Sequence, residues 1–142
     1  MVVDLDGVLS DAARRQHYLE KPRADWKAFF DACGDDEVID EVRVLLELLD
    51  PALAVVLLTA RPERVHPLTE AWLRRYEIRW DLLVMRPGGS YVSSPTYKAA
   101  ALEGLLAHGF EVRLGIEDDP RNVAMFKERG IPCLYHHSGY YD

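Results

Sequence analysis

VVDLDGVLSD (Val2 to Asp11) runs from two β-branched residues into a pair of carboxylates and then a glycine. The apolar start, Met1 to Leu5, reads as a short buried strand. Asp4 and Asp6 are two apart, so in a regular strand they point the same way. Gly7 lets the chain turn sharply straight after them. The stretch therefore predicts a strand that delivers two acidic groups at its carboxyl end.

The rest of the chain has the same rhythm. Asp35 to Leu49 reads as an amphipathic helix with Val38, Val42, Leu45, Leu46 and Leu49 on one face, ended by Pro51. Leu53 to Thr59 is a continuous apolar strand, the pattern of one covered on both faces. A helix follows from about Pro67 to Tyr76, then a strand from Trp80 to Met85. Ser94-Pro95 opens a helix that stops at Gly109. Glu111 to Ile116 reads as a strand, Asp119-Pro120 caps a helix that ends at Gly130, and Ile131 to Tyr135 is a last strand. Strands alternating with helices over short connections predict an α/β fold: a three-layer, Rossmann-like parallel sheet with helices on both faces. Residues 10–34 break the rhythm. They carry Arg14, Arg15, His17, Tyr18, Lys21, Arg23, Trp26, Phe29 and Phe30, and read as a small helical insertion folded over the strand ends. One domain over residues 1–142 is expected.

A parallel sheet places its ligand at the carboxyl ends of its strands. Read in order, those ends supply Asp4-Leu5-Asp6-Gly7, then Thr59-Ala60-Arg61, then Arg86-Pro87-Gly88, then Glu117-Asp118-Asp119, with Lys98 in the first turn of the helix before the last. Carboxylates gathered this closely repel unless a cation neutralises them. Oxygen ligands that leave room for water and a phosphate suit Mg²⁺, which also offsets the charge of an incoming phosphate. Thr59, Lys98 and the backbone N–H groups of the Gly7 turn are candidate phosphate donors. Arg15 and Arg61 offer bidentate contacts, and Arg86 completes the substrate-binding set. A carboxylate can attack phosphorus to form an acyl phosphate, and a second carboxylate two residues away can serve the leaving oxygen and then the water.

Composition narrows the classes. The chain has 142 residues, 49% of them apolar and 29% charged, as in an ordinary folded domain rather than a disordered one. Its longest apolar run, Leu53 to Leu58, is too short to span a membrane, and no export segment is read at the N-terminus. Two cysteines, Cys33 and Cys133, make neither a disulfide framework nor a zinc site, so a cytoplasmic address is expected. A net charge of −7 speaks against extended nonspecific binding to nucleic acid, though not against a small basic pocket.

On these residues the chain resembles the haloacid-dehalogenase (HAD) superfamily of aspartate-nucleophile phosphatases. VVDLDGVLSD matches the first motif of that superfamily, VVLLTARP (Val55 to Pro62) the second, Lys98 the third, and IEDDPRNVAMFKERGI (Ile116 to Ile131) the fourth. The resemblance implies that Asp4 is the nucleophile and Asp6 the general acid/base. It implies a Mg²⁺ held by the Asp4 side chain, the Asp6 main-chain carbonyl and Asp118, with Asp119 beside them, and a phosphate held by Thr59 and Lys98. Within the superfamily the chain looks most like the 3′-phosphatase domain of polynucleotide kinase-phosphatases, through Arg15 nine residues after Asp6, Arg61, the Met85-Arg86-Pro87 turn and the Asp118-Asp119 pair. It departs at Ser94, where those domains tend to carry an aspartate four residues before the lysine. No GxxxxGK[ST] phosphate loop occurs, so no kinase module is present in these residues.

The expected activity is thus a magnesium-dependent phosphomonoesterase, working on a nucleic-acid 3′ end or a nucleotide through a site with no large cap domain. A phosphatase of small phosphorylated metabolites is the alternative. A receiver-like signalling module orders its acidic pair, phosphorylated aspartate and lysine differently along the chain. A non-catalytic binding module is disfavoured because no core catalytic residue is missing.

Overall fold

The computed structural model describes residues 1–20 and 22–142; Lys21 of the insertion lies outside them. In chain order the elements are β1 (Val2–Val3), β2 (Ser10–Asp11), α1 (Trp26–Asp31), β3 (Glu37–Val38), α2 (Asp40–Leu48), β4 (Val56–Pro62), α3 (His66–Arg75), β5 (Leu82–Arg86), α4 (Ser94–Ala107), β6 (Gly115–Glu117), α5 (Pro120–Glu128) and β7 (Cys133–Tyr135). Short 3-10 turns cover Ala13–Leu19, Cys33–Asp35 and Glu63–Val65. Five strands form one parallel sheet in the order β5-β4-β1-β6-β7. The strand that carries Asp4 is central: Val2 lies opposite Val56 of β4 on one side and Gly115 of β6 on the other. The ends of β4 and β6 therefore flank Asp4, which brings Thr59 and Asp118 to it from opposite sides.

Alternation along the central strands splits the core into two layers. Val3, Leu5, Leu57 and Ile116 face α2 and α3, packing with Val42, Leu46, Trp72 and Leu73. Val2, Val56 and Leu58 face α4 and α5, packing with Tyr97, Leu102, Leu105, Met125 and Phe126. Each fully buried Leu, Val or Phe contributes about 1.5–3 kcal/mol. Gly115 lets α5 come close to β6: a Cβ there would sit 3.2 Å from the Phe126 ring and from Cys133 Sγ. Among the described residues, no helix is long and apolar enough to cross a membrane.

The strands expected over Trp80–Met85, Glu111–Ile116 and Ile131–Tyr135 begin later, at Leu82, Gly115 and Cys133, and three further boundaries are corrected for identifiable reasons. The helix expected over Asp35–Leu49 begins only at Asp40, because Glu37 and Val38 pair antiparallel with Asp11 and Ser10 as a two-stranded ribbon. Its Asp36 is drawn inward, 3% exposed, by the buried Arg15. A helical period read through this segment misses that override by a partner distant in sequence. The cap of α4 is Ser93, whose Oγ accepts from Thr96 N–H, rather than Ser94. The strand expected from Leu53 starts at Val56, since Asp50 folds Pro51–Leu53 into a turn through its side chain and its carbonyl. The insertion is helical as expected, with the Ala13–Leu19 turn and α1, but the β2–β3 ribbon ties it to the body.

Candidate active site

Asp4 leaves the end of β1 with its side chain 9% exposed. Its Oδ1 accepts from Leu5 N–H at 2.8 Å and lies 2.9 Å from Lys98 Nζ, so Oδ2 carries neither contact. Burial pushes the Asp4 carboxyl above its usual range, and Lys98 pulls against this without overturning it. Lys98 comes from the first turns of α4 and is itself buried. Burial alone favours a neutral amine, but Asp4 and Glu117 outweigh it and hold the ammonium well above its ordinary pKa. Lys98 Nζ donates to Glu117 Oε1 at 2.5 Å. Asn122 of α5 then links Glu117 Oε2, at 3.3 Å, to Ser94 Oγ, at 3.2 Å. Ser94, at the position where the resembled domains tend to carry an aspartate, thus reaches the lysine through Asn122 and Glu117.

Asp118 follows β6 and is 1% exposed, yet neither of its side-chain oxygens has a hydrogen-bond partner among the described residues. Burial, with Asp4 adding to it, pushes its carboxyl up to about 7, against the opposing pull of the nearby Ser138 hydroxyl and of Lys98. Burial, again reinforced by Asp4, puts Glu117 at about 8. An oxygen from each of Asp4, Glu117 and Asp118 can lie within 4.8 Å of the others. Buried carboxylates left without donors are costly unless a cation meets them, and a set made only of oxygens suits a hard one. Gly7 makes room for this cluster. It has φ +84°, and a Cβ on it would fall 2.0 Å from Asp118 Oδ2.

Asp6 sits on the other side of Gly7. It accepts from Arg15 Nη2 at 2.5 Å and from Arg61 Nη2 at 2.6 Å. Burial would raise its pKa, but Arg61 and Arg15 more than offset that and hold it at about 2. Both guanidiniums are anchored from behind. Arg15 also donates to Asp36 and to Phe29 O, and Arg61 to Ser10 Oγ and Thr69 Oγ1. Ser10 Oγ in turn bonds Asp36.

This geometry amends four expectations. Arg15 and Arg61, read as substrate contacts, are 2% and 0% exposed and spend their donors on Asp6, Asp36 and the body. They position Asp6 instead of facing the cleft. The Gly7 N–H, read as a phosphate donor, is taken by Ser10 O at 2.8 Å. Asp119, read as a metal ligand, caps α5 by accepting from Arg121 N–H at 2.9 Å and pairs with the Arg121 side chain, outside the Asp4–Glu117–Asp118 cluster. The Asp6 side chain is likewise outside that cluster, leaving its main chain as the expected ligand. Thr59 is fully buried within β4, with Oγ1 accepting from Arg61 N–H at 3.1 Å and its own proton left to donate. Arg86 lines the cleft, reaching Val92 O at 2.6 Å across the loop after β5. Sequence reasoning gave no role to Glu117, though it stands beside Asp118, or to Asp36, which carries no local signal.

Above these groups lies a cleft of about 860 Å³. Asp4, Asp6, Thr59 and Lys98 form its floor, the insertion and the 87–93 loop form two walls, and Tyr140 and Tyr141 close a third side. His136 Nδ1 donates to Gly7 O at 2.7 Å and holds this last segment against the acidic cluster.

Comparison with known proteins places the chain among phosphatases of the haloacid-dehalogenase type. More narrowly, it belongs to the family described as the polynucleotide kinase PNKP phosphatase domain, whose model matches residues 1–141. No curated protein matches it in sequence. Its fold is similar to a chain of the Pnkp1/Rnl/Hen1 complex, at 24% identity and TM-score 0.82 over 96% of this chain and 44% of that one. A second structure, of the Pnkp1/Rnl/Hen1 RNA repair complex, aligns at 25% identity and TM-score 0.73 over 94% of this chain and 40% of that one. The chain therefore spans less than half the length of the chains it matches in these complexes. A haloacid dehalogenase-like hydrolase from Streptococcus pneumoniae shares the fold at 15% identity and TM-score 0.64, covering 99% of this chain and 87% of that one.

Proposed function

We propose that the chain hydrolyses the 3′-terminal phosphomonoester of a nucleic acid through a phosphoryl-aspartate on Asp4, with Mg²⁺ as cofactor. The observation that carries the reading is Asp118, a buried carboxylate without donors, set beneath an open cleft beside Asp4, which lines that cleft together with Lys98. Asp4, Asp118 and the Asp6 main-chain carbonyl are the groups that would hold the ion. Bound there, Mg²⁺ supplies positive charge that offsets the phosphate dianion and the acidic cluster.

In the first step an oxygen of Asp4 bonds to phosphorus, the bond from phosphorus to the ester oxygen breaks, and that oxygen takes the proton carried by Asp6. In the second step water attacks phosphorus, Asp6 takes a proton back, and the bond to Asp4 breaks to release inorganic phosphate. Arg15 and Arg61 oppose protonation of Asp6, whereas an approaching phosphate dianion favours it. Lys98 and the Thr59 hydroxyl are placed to hold phosphate oxygens on the floor. The family and the RNA repair complex that holds a chain of similar fold support nucleic acid as the substrate class.

The test is a screen of 3′- and 5′-phosphorylated oligonucleotides, mononucleotides and sugar phosphates, with and without Mg²⁺. The oligonucleotide 3′-phosphate should have the highest kcat/KM, at least about tenfold above the mononucleotide, since binding to remote parts of a substrate raises this ratio. Preference for a sugar phosphate would establish the small-metabolite alternative, and turnover in excess EDTA would contradict the metal assignment.

A further inference from the structure

The insertion lines part of the cleft, and the most exposed of the three aromatic residues it contributes is an indole. Trp26 opens α1 and is 56% exposed. Phe30 lies behind it, nearly parallel, at 5.9 Å between ring centres and 27° between planes. Phe29 meets it edge-on at 5.7 Å. Phe29 is the residue that fastens α1 to the body: it is 5% exposed, and the Arg15 guanidinium sits 4.3 Å from its ring centre. Arg15 Nη1 donates to Phe29 O at 3.1 Å while Nη2 of the same guanidinium donates to Asp6 at 2.5 Å. A short rigid path, Asp6–Arg15–Phe29, therefore holds the indole at a set offset from the reacting groups. Packing accounts for Phe29 and leaves the outer face of Trp26 without a structural use.

The charge around the indole is complementary to a polyanion. Lys27 and Arg64 share a single counter-ion, Asp31, so that trio keeps a net positive charge. Among the described residues, the charged side chains lining the cleft are Lys27, Arg64, Arg86, Lys98 and Arg121, all basic, and the acidic Asp4 and Asp6, in a chain whose net charge is −7. The volume of about 860 Å³ also exceeds what a phosphate group needs and matches a larger organic ligand.

The geometry points to Trp26 as a platform on which a nucleobase next to the scissile phosphate stacks, with Lys27 and Arg64 on the backbone phosphate of the same strand. This assignment rests on the 3′-phosphatase reading above and adds the path of the strand, across the insertion rather than out over the 87–93 loop. Stacking on an aromatic ring accepts any base, so it selects for nucleic acid without selecting sequence.

The test compares W26A, W26F and Y91A with the unaltered chain on a 3′-phosphorylated single-stranded oligonucleotide and on p-nitrophenyl phosphate. W26A should raise the KM for the oligonucleotide by about tenfold, the scale of one lost base stack, and far more than it changes the KM for p-nitrophenyl phosphate. W26F should recover most of the loss, and Y91A should show little of it. Quenching of tryptophan fluorescence by a 3′-hydroxyl oligonucleotide should disappear in W26A. Equal losses on both substrates would mean that Trp26 only braces Arg15, and an unchanged oligonucleotide KM would also overturn the platform. If the unaltered chain cleaves p-nitrophenyl phosphate but no oligonucleotide, the 3′-end reading itself fails, and the platform with it.

Discussion

Asp4 and Asp6 lie two residues apart, yet the fold gives them opposite surroundings. Asp4 has one lysine and shares its edge with Glu117 and Asp118, whereas Asp6 is gripped by two guanidiniums. Asp4→Asn should abolish turnover of p-nitrophenyl phosphate with an unchanged circular dichroism spectrum; near-normal activity would refute the nucleophile assignment. Arg15 and its neighbour Arg14 form a sharper contrast. Arg14 pairs with Glu37 at the surface, both well exposed, and such a pair contributes about 0–1 kcal/mol. Arg15 is buried between Asp6 and Asp36, where losing one partner costs about 3–5 kcal/mol. Arg15→Ala should therefore lower both the midpoint of urea unfolding and kcat, while Arg14→Ala leaves both nearly unaltered. Gly7→Ala combines a positive φ with a Cβ inside van der Waals contact of Asp118. It should lose at least about 1–2 kcal/mol of stability from backbone strain alone, measured by urea unfolding, and lose its response to magnesium as well.

Helices and strands decide which of two adjacent aspartates joins the buried acidic cluster proposed to hold a cation. Asp118 is the first residue after β6, and Asp119 is already the cap of α5. Replacing Asp119 by Ala should cost about 0.5–2 kcal/mol, the ordinary value of a cap, with the magnesium concentration for half-maximal activity little changed. Replacing Asp118 by Asn should do the reverse, raising that concentration at least about tenfold while sparing stability, as expected when a ligand and its charge are removed from a cation site. Equal effects in the two variants would return Asp119 to the ligand set. The β2–β3 ribbon also acts at this scale. By pairing Ser10–Asp11 with Glu37–Val38 it draws Asp36 under Arg15, and the Asp36 carbonyl is then held by Trp72 Nε1 at 2.9 Å.

The whole molecule gathers Asp4, Glu117 and Asp118 at the carboxyl ends of its central strands, and the 136–141 segment is held beside them through the hydrogen bond from His136 to Gly7 O. A cation that binds only the folded chain adds RT ln(1 + [L]/Kd), about 2.7 kcal/mol at a hundred times Kd. Saturating magnesium should raise the melting temperature by several degrees, and calcium or EDTA controls should separate charge relief from specific binding. Absence of any shift by scanning calorimetry would contradict the cation site. The positive rim of the cleft is a property of this scale too, since it is assembled from α1, the turn after β4, the end of β5 and the start of α5.

By itself the sequence determined the parallel α/β architecture and the gathering of Asp4, Thr59, Lys98 and Asp118 around the end of the central strand. Runs such as Val55 to Leu58 encode burial directly, and a strand-end residue such as Asp4, Thr59 or Asp118 has its place set by a few neighbours in the chain. Only the tertiary structure decided the parts that depend on distant partners. Arg15 and Arg61 turned out to hold Asp6 because Asp36 and Ser10 lie behind them, Glu117 became the counter-ion of Lys98, and the helix expected from Asp35 gave way to a ribbon that pairs with Ser10–Asp11. The physical reason is range. Hydrophobic period and turn chemistry act within a few residues, whereas a buried charge takes whichever partner the finished fold brings within about 3 Å.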